Sequence, residues 1–226
     1  MASEKYNQQS IKKDEEAWDS YIETNGMLKN NLGIESKEEL NKAEKNIVLE
    51  RLTLLHINPV DNVCNREGLL AIHKFLFKDI YTFAGKIREC TLSKNGYNFV
   101  HPDKINEELI TTIFNYSNQI DTVRSSEELA FVIAPFYYDL IRIHPFREGN
   151  GRSIREFIRE TVLEKCNELP FNVELDYTKI DKNNLMLGTR YRYMYPSMLE
   201  MEFMKGLVPV DKLNRDRGNY EDRRFK

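Results

Sequence analysis

The chain has 226 residues, with 33 basic against 36 acidic side chains and a formal net charge of -3. That length suits one ordinary domain with a real core, and the balanced charge gives no general signal for nucleic acid or a membrane surface. No apolar run reaches the roughly 18 residues of a membrane span, and the polar N-terminus lacks a signal-peptide core. Cys64, Cys90 and Cys166 are widely spaced and odd in number. They form neither a disulfide framework nor a zinc pattern, so a reducing cytoplasm is expected.

Residues 1–27 are polar, with Trp18, Tyr21 and Ile22 as the main apolar exceptions, and read as a peripheral, partly ordered helix. Ser36-Lys37-Glu38-Glu39 is a capping-box pattern. Leu40, Ala43, Ile47, Arg51 and Leu54 follow at helical spacing, which predicts an amphipathic helix over 36–56, stopped by Pro59. His56 reads as a helix-end residue. A second helix is expected over 66–80, with Leu69, Ile72, Leu76 and Phe77 inward and His73 in a packing or exposed role.

The pattern then changes. Arg88–Leu92 and Tyr97–Val100 flank Ser93-Lys94-Asn95-Gly96, and Asn-Gly is a strong hairpin signal. Such a hairpin must lean on the helical body, and its exposed edge could pair with an extended segment of another protein. Pro102 can open a helix running to about 120. Ser125-Ser126-Glu127-Glu128 caps the next one, whose residues 129–143 are apolar on almost every side and belong at the centre of a bundle.

That helix ends at His144-Pro145-Phe146-Arg147-Glu148-Gly149-Asn150-Gly151-Arg152, continued through Ser153-Ile154 to Arg155. Gly149 and Gly151 let the backbone curl its N–H groups into an anion-binding nest. The helix expected from Asn150 to Cys166 adds free N–H donors and a partial positive charge at its start. Arg152 and Arg155 lie three apart on one face, where two guanidinium groups can hold phosphate oxygens. Cations at a helix start oppose the dipole, which makes more sense with an anion bound there. Glu148 offers an oxygen ligand suited to Mg2+, and His144 can take a proton near neutral pH. Phosphates, metal and base together describe nucleotide chemistry. The Walker A pattern is absent. Pro170 breaks the helix, one or two short helices are expected over 178–206, and Asp211 to Lys226 reads as a disordered charged tail.

The run from His144 to Arg152, with Arg155, resembles the signature of the Fic family, His-Pro-Phe-x-Asp/Glu-Gly-Asn-Gly-Arg-x-x-Arg, with every fixed position filled. Leu76 to Arg88 resembles the segment before that family's hairpin flap, and the resemblance covers about residues 28–205. It implies a mainly α fold, a Fic helical bundle with a β-hairpin flap beside the active-site loop. The chain then divides into a peripheral segment 1–27, a Fic domain 28–206 and a charged tail 207–226.

The resemblance also implies a mechanism, transfer of AMP from ATP to a Tyr, Ser or Thr hydroxyl of a target protein with release of pyrophosphate. On that reading His144 is the general base and Glu148 holds Mg2+ between the α- and β-phosphates. Gly149, Asn150 and Gly151 form the anion hole, while Arg152 and Arg155 bind phosphates. Phe146 anchors the loop and Arg147 is a variable position. The flap, with Thr91, Leu92, Tyr97 and Phe99, clamps the target, and Tyr191 to Tyr195 are candidates for the adenine pocket. Gly151 stands where a kinase-like branch carries Lys, which favours nucleotidyl transfer. Another nucleotide, phosphocholine or phosphoryl transfer, and a nucleotide-binding module without transfer activity, are the alternatives.

Many members are held off by a Ser/Thr-x-x-x-Glu-Gly/Asn helix whose Glu pairs with the second arginine, here Arg155. No such motif occurs; Ser197-Met198-Leu199-Glu200 has the wrong spacing. The resemblance therefore implies a toxin restrained by a separate small antitoxin, of a kind that often modifies type II topoisomerases.

Overall fold

The computed structural model describes residues 2–165 and 171–209. Eight α-helices occur among the described residues: α1 (Ala2–Tyr21), α2 (Lys37–Ile57), α3 (Arg66–Phe77), α4 (Pro102–Ile120), α5 (Ser126–Ile143), α6 (Asn150–Lys165), α7 (Lys182–Arg190) and α8 (Met198–Gly206). Two short antiparallel pairs join them, β1 (Ser93–Lys94) with β2 (Tyr97–Asn98), and β3 (Val173–Leu175) with β4 (Leu207–Pro209). The architecture is mainly helical, as the sequence predicts.

Local signals set the helix starts. The Ser36 and Ser125 hydroxyls accept hydrogen bonds from the Glu39 and Glu128 N–H groups, and Asn65 does the same for Gly68. Pro102 opens α4, where its missing N–H costs nothing. Apolar burial then stacks the helices. Leu129, Ala130, Ile133, Ala134 and Leu140 make α5 the central rod, packed between α4, α6 and α8, while α3 closes the other face of α6. The rings of Tyr116 and Phe136 stack at 3.8 Å across the α4–α5 seam.

Three expectations are adjusted. The helix expected to reach residue 80 ends at Phe77, and Ile80 and Tyr81 bond back to the Phe77 carbonyl in a turn. The hairpin turn is two residues, not four: Asn95 and Gly96 have φ of 52° and 77°, which lets Lys94 pair directly with Tyr97. Leu92 still accepts the Phe99 N–H across the hairpin, but the Arg88, Glu89 and Thr91 N–H groups go to Pro145, Tyr21 and Asp14 instead, so the expected strand does not extend back to Arg88. Finally Leu207–Pro209, expected in the tail, pair with β3 because Leu207 is buried against the core. The β3–β4 pair is too short and too distant in sequence for an alternation pattern to reveal it.

Cys166, Pro170 as a helix breaker and the expected disorder of Asp211 to Lys226 lie outside the described residues. Among the described residues no helix is long and apolar enough to cross a membrane.

Candidate active site

Helix α5 stops at His144, which takes a left-handed conformation with φ 51° and ψ 61° while its N–H still bonds to the Leu140 carbonyl. A non-glycine residue held there costs about 1–3 kcal/mol, so its surroundings must impose the geometry. They do so on two sides. The His144 Nδ1 lies 3.2 Å from the Ile141 carbonyl, which puts a proton on Nδ1 and leaves Nε2 as an acceptor. The Phe99 ring lies flat on the imidazole at 3.8 Å. Burial pushes the His144 pKa down to about 4, helped by the positive charges of Arg88 and Lys94. At neutral pH this imidazole is therefore uncharged and able to accept a proton.

The loop after it is rigid by construction. Phe146 is fully buried, and the Asn150 side chain grips its backbone twice, Oδ1 accepting from the Phe146 N–H at 2.8 Å and Nδ2 donating to its carbonyl at 2.7 Å. Asn150 thus contributes its side chain to the loop's own frame. From α3, His73 accepts the Gly85 N–H at Nδ1 (2.8 Å), so its Nε2 carries the proton and donates to the Glu148 carbonyl at 2.9 Å. Its ring also stacks on Phe146 at 3.7 Å. Burial drives the His73 pKa to about 4, and the residue is a neutral brace rather than filler. Gly149, with φ 82°, passes so close to Phe77 that a Cβ would stand 2.4 Å from the ring.

Helix α6 begins immediately, its first intrahelical bond running from the Ser153 N–H to the Gly149 carbonyl. The N–H groups of Asn150, Gly151 and Arg152 thus have no intrahelical acceptor, whereas the Gly149 N–H is taken by the Glu148 carboxylate at 2.8 Å. Arg152 sits on the Phe77 ring at 4.8 Å, with Glu44 of α2 at 2.6 Å and Glu148 at 3.5 Å. Tyr81 donates its hydroxyl to the same Glu44 carboxylate. Arg155 contacts the Tyr137 hydroxyl, and among the described residues no carboxylate pairs with it. Both arginines line a cavity of about 350 Å³, which Leu52, His56 and the Glu174–Thr178 segment close. Glu200, the near miss of the sequence, is paired with Arg192 at 2.6 Å instead.

Across the loop stands the hairpin. Arg88, 1% exposed, donates to the carbonyls of Ile143, His144, Cys90 and Val100 and so ties both hairpin arms to the end of α5. Of the four flap candidates, Phe99 covers His144 and Tyr97 meets Phe99 edge-on at 5.6 Å. The Leu92 carbonyl accepts the Phe99 N–H, and Thr91 bonds to Asp14 of α1. Tyr138 lies near both Tyr97 and Tyr193, its pKa raised by burial together with their proximity, so the hairpin and the 191–195 turn that holds the adenine-pocket candidates approach each other here. Tyr193 is 92% exposed.

Of the residues picked from sequence, Phe99 covers His144, Glu148 meets Arg152, and Arg152 and Arg155 share one cavity that His144 does not line. Sequence reasoning missed Glu44, Tyr81, His73 and Arg88, and gave Trp18 no role although the Arg147 guanidinium lies 4.3 Å over its ring. A buried residue's partner in a distant helix leaves no local pattern to read.

Residues 63–161 match the Fic/DOC family. The chain is 28% identical over 192 residues to protein adenylyltransferase VbhT of Bartonella schoenbuchensis, covering 84% of this chain but only 39% of that protein. It is also 28% identical over 139 residues to the probable protein adenylyltransferase Fic of Salmonella typhimurium, covering 61% of this chain and 68% of that one. The fold resembles the crystal structure of BepC from Bartonella tribocorum with bound AMPPNP (TM-score 0.75, 21% identity, 85% and 98% of the two chains). It resembles equally the N-terminal Fic domain of a Bartonella quintana Bep effector with bound ADP (TM-score 0.77, 21% identity, 87% and 98%). The family match over residues 63–161 thus spans the signature, its loop between α5 and α6 and the covering hairpin.

Proposed function

We propose that this chain transfers AMP from ATP to a Tyr, Ser or Thr hydroxyl of a target protein, releasing pyrophosphate. The observation that carries the proposal is His144, a neutral imidazole with its Nε2 left as acceptor at the end of a loop whose other end is a helix start and two arginines. The names of VbhT and its relatives, and the nucleotides bound in the two Bartonella neighbours, support the same reading.

The hydroxyl oxygen forms a bond to the α-phosphorus as its proton passes to His144 Nε2. The bond from that phosphorus to the α,β-bridging oxygen breaks, and pyrophosphate leaves with the electron pair. Arg152, Arg155 and the N–H groups at the start of α6 neutralise the phosphates, and the hairpin holds the target beside them. Positioning and charge neutralisation dominate such transfers.

Glu148 fits a role toward Mg2+. Its side chain is 44% exposed, and its internal contacts fall on Oε1. Among the described residues no group of three acidic, His or Cys side chains could hold a metal, so the ion would need phosphate oxygens as co-ligands, as Mg2+ commonly does. When bound it supplies charge neutralisation of the phosphates.

We read residues 28–206 as the catalytic body, and inhibition as coming from a separate small antitoxin whose carboxylate pairs with Arg155. Glu200 is engaged with Arg192, and Arg155 opens on a cavity, which supports that reading.

The test is a bacterial lysate supplied with ATP labelled on the α- or the γ-phosphate, beside a His144→Ala control. Target bands carrying only the α-label and absent in the control are expected. A γ-label would mean phosphoryl transfer instead.

A further inference from the structure

A cleft of about 840 Å³ lies outside the signature, between α1 and the hairpin. Asp14, Glu15, Trp18 and Asp19 form one wall, and Thr91 and Phe99 belong to the other. Phe99 is also the ring that lies on His144, so a single side chain connects the cleft lining to the candidate base.

The wall made by α1 is fastened. In the segment that enters the hairpin, successive N–H groups point to opposite sides. The Arg88 N–H turns to the signature loop, while those of Glu89 and Thr91 turn the other way. Glu89 N–H donates to the Tyr21 hydroxyl at 3.2 Å, and Thr91 donates its N–H and its hydroxyl to Asp14 at 2.5 and 2.7 Å. Within the wall, Trp18 also packs on Arg147 of the signature loop. The N–H groups of Glu89 and Thr91, which an incoming strand would need on this edge, are therefore already taken by α1. A target segment reaching His144 from this side must lie in the cleft and be read by side chains.

Those side chains carry one sign of charge. Three carboxylates line the cleft, no Lys or Arg does so among the described residues, and His101 is the other titratable group in its lining. The Lys29 ammonium donates to the Asp19 backbone carbonyl at 3.1 Å, and its N–H to the Tyr21 carbonyl. We propose that α1 is the second wall of the target groove, and that Glu15 and Asp19 select an extended segment carrying a lysine or arginine near its acceptor hydroxyl. The proposal rests on the AMP-transfer reading for the nature of the occupant. It adds a specificity device supplied by a helix outside the family-matched residues 63–161.

The test uses the full chain and two fluorescein-labelled extended peptides, each with a single tyrosine, one flanked by lysines and the other by glutamates. Fluorescence anisotropy is expected to give tighter binding of the lysine peptide by a factor of about ten, as two exposed ion pairs would supply. The gap should shrink with salt and vanish in a Glu15→Lys, Asp19→Lys double variant. Both positions are exposed, so that variant should keep the wild-type melting temperature and ATP affinity. Equal binding of the two peptides, or a gap unchanged in the double variant, would overturn the proposal. Transfer from α-labelled ATP is read separately: selective binding without label keeps the groove and counts against AMP transfer, whereas equal labelling of both peptides does the reverse.

Discussion

Glu44 of α2 stands 2.6 Å from the guanidinium of Arg152, and the Tyr81 hydroxyl donates to the same carboxylate. Arg152 is thereby aimed across Phe77 toward Glu148 by a residue outside the family-matched stretch. Glu44→Gln turns an amide toward the guanidinium and removes the stronger of its two ion pairs. A charged hydrogen bond of this kind contributes about 1.5–3 kcal/mol. The expected result is a lower urea midpoint and ATP binding weakened several-fold by calorimetry, with Tyr81→Phe intermediate. Tighter ATP binding would mean that the carboxylate competes with phosphate rather than orienting the arginine.

Gly149 and Gly151 should respond differently to the same methyl group. At Gly149 the backbone has φ 82° and a Cβ would stand 2.4 Å from Phe77, a buried ring with no room to retreat. Gly149→Ala is expected to lose transfer and several degrees of melting temperature, since left-handed strain alone costs about 1–3 kcal/mol. At Gly151 the nearest atom is the end of the flexible Arg155 side chain, at 3.3 Å. Gly151→Ala should fold at least as well as wild type and lose activity only partly, as measured by label transfer beside thermal melts.

The helices were legible because their signals are local. Ser36, Ser125 and Pro102 each stand where a cap or first turn demands them, and the all-round apolar run 129–143 announces a central rod. The signature was legible because its chemistry is contiguous from His144 to Arg155. What stayed hidden is whatever depends on meeting across the fold. Trp18 looks like a stray aromatic until Arg147 lies on it, and His73 has no acidic neighbour in sequence because its partners are a backbone N–H and a carbonyl. Arg88 reads as a strand residue, yet its four acceptors are carbonyls from three segments.

Arg88 carries its own prediction. Burial lowers its pKa to about 10, so it remains charged at neutral pH, and two of its acceptors are the last carbonyls of α5, where a cation is favoured. Arg88→Met would strand buried carbonyls at about 1–3 kcal/mol each and unfasten the hairpin from His144. Loss of transfer with a large drop in unfolding free energy is expected. Lys cannot reach four acceptors with one ammonium, so Arg88→Lys should restore little.

The two buried imidazoles set the pH behaviour. His144, pushed down to about 4 by burial, keeps its proton-accepting form far into acid. Since kcat/KM reports ionisations of the free enzyme, its profile for ATP should stay nearly flat from pH 8 to about 5, whereas a histidine at its ordinary 6.5 would halve activity at pH 6.5 and remove most of it by pH 5. His73 shows the same depression in a purely structural place. Its folded pKa lies below the unfolded one, so its contribution is complete above about pH 6.5 and is lost as pH falls toward 4, because the unfolded chain takes up the proton first. Wild-type unfolding free energy from urea titrations should therefore fall between pH 6.5 and 4.5 more steeply than that of His73→Gln, which has no proton to bind. Parallel slopes would mean that His73 is not held neutral, and the brace from α3 to Glu148 would then have to work through a charged ring.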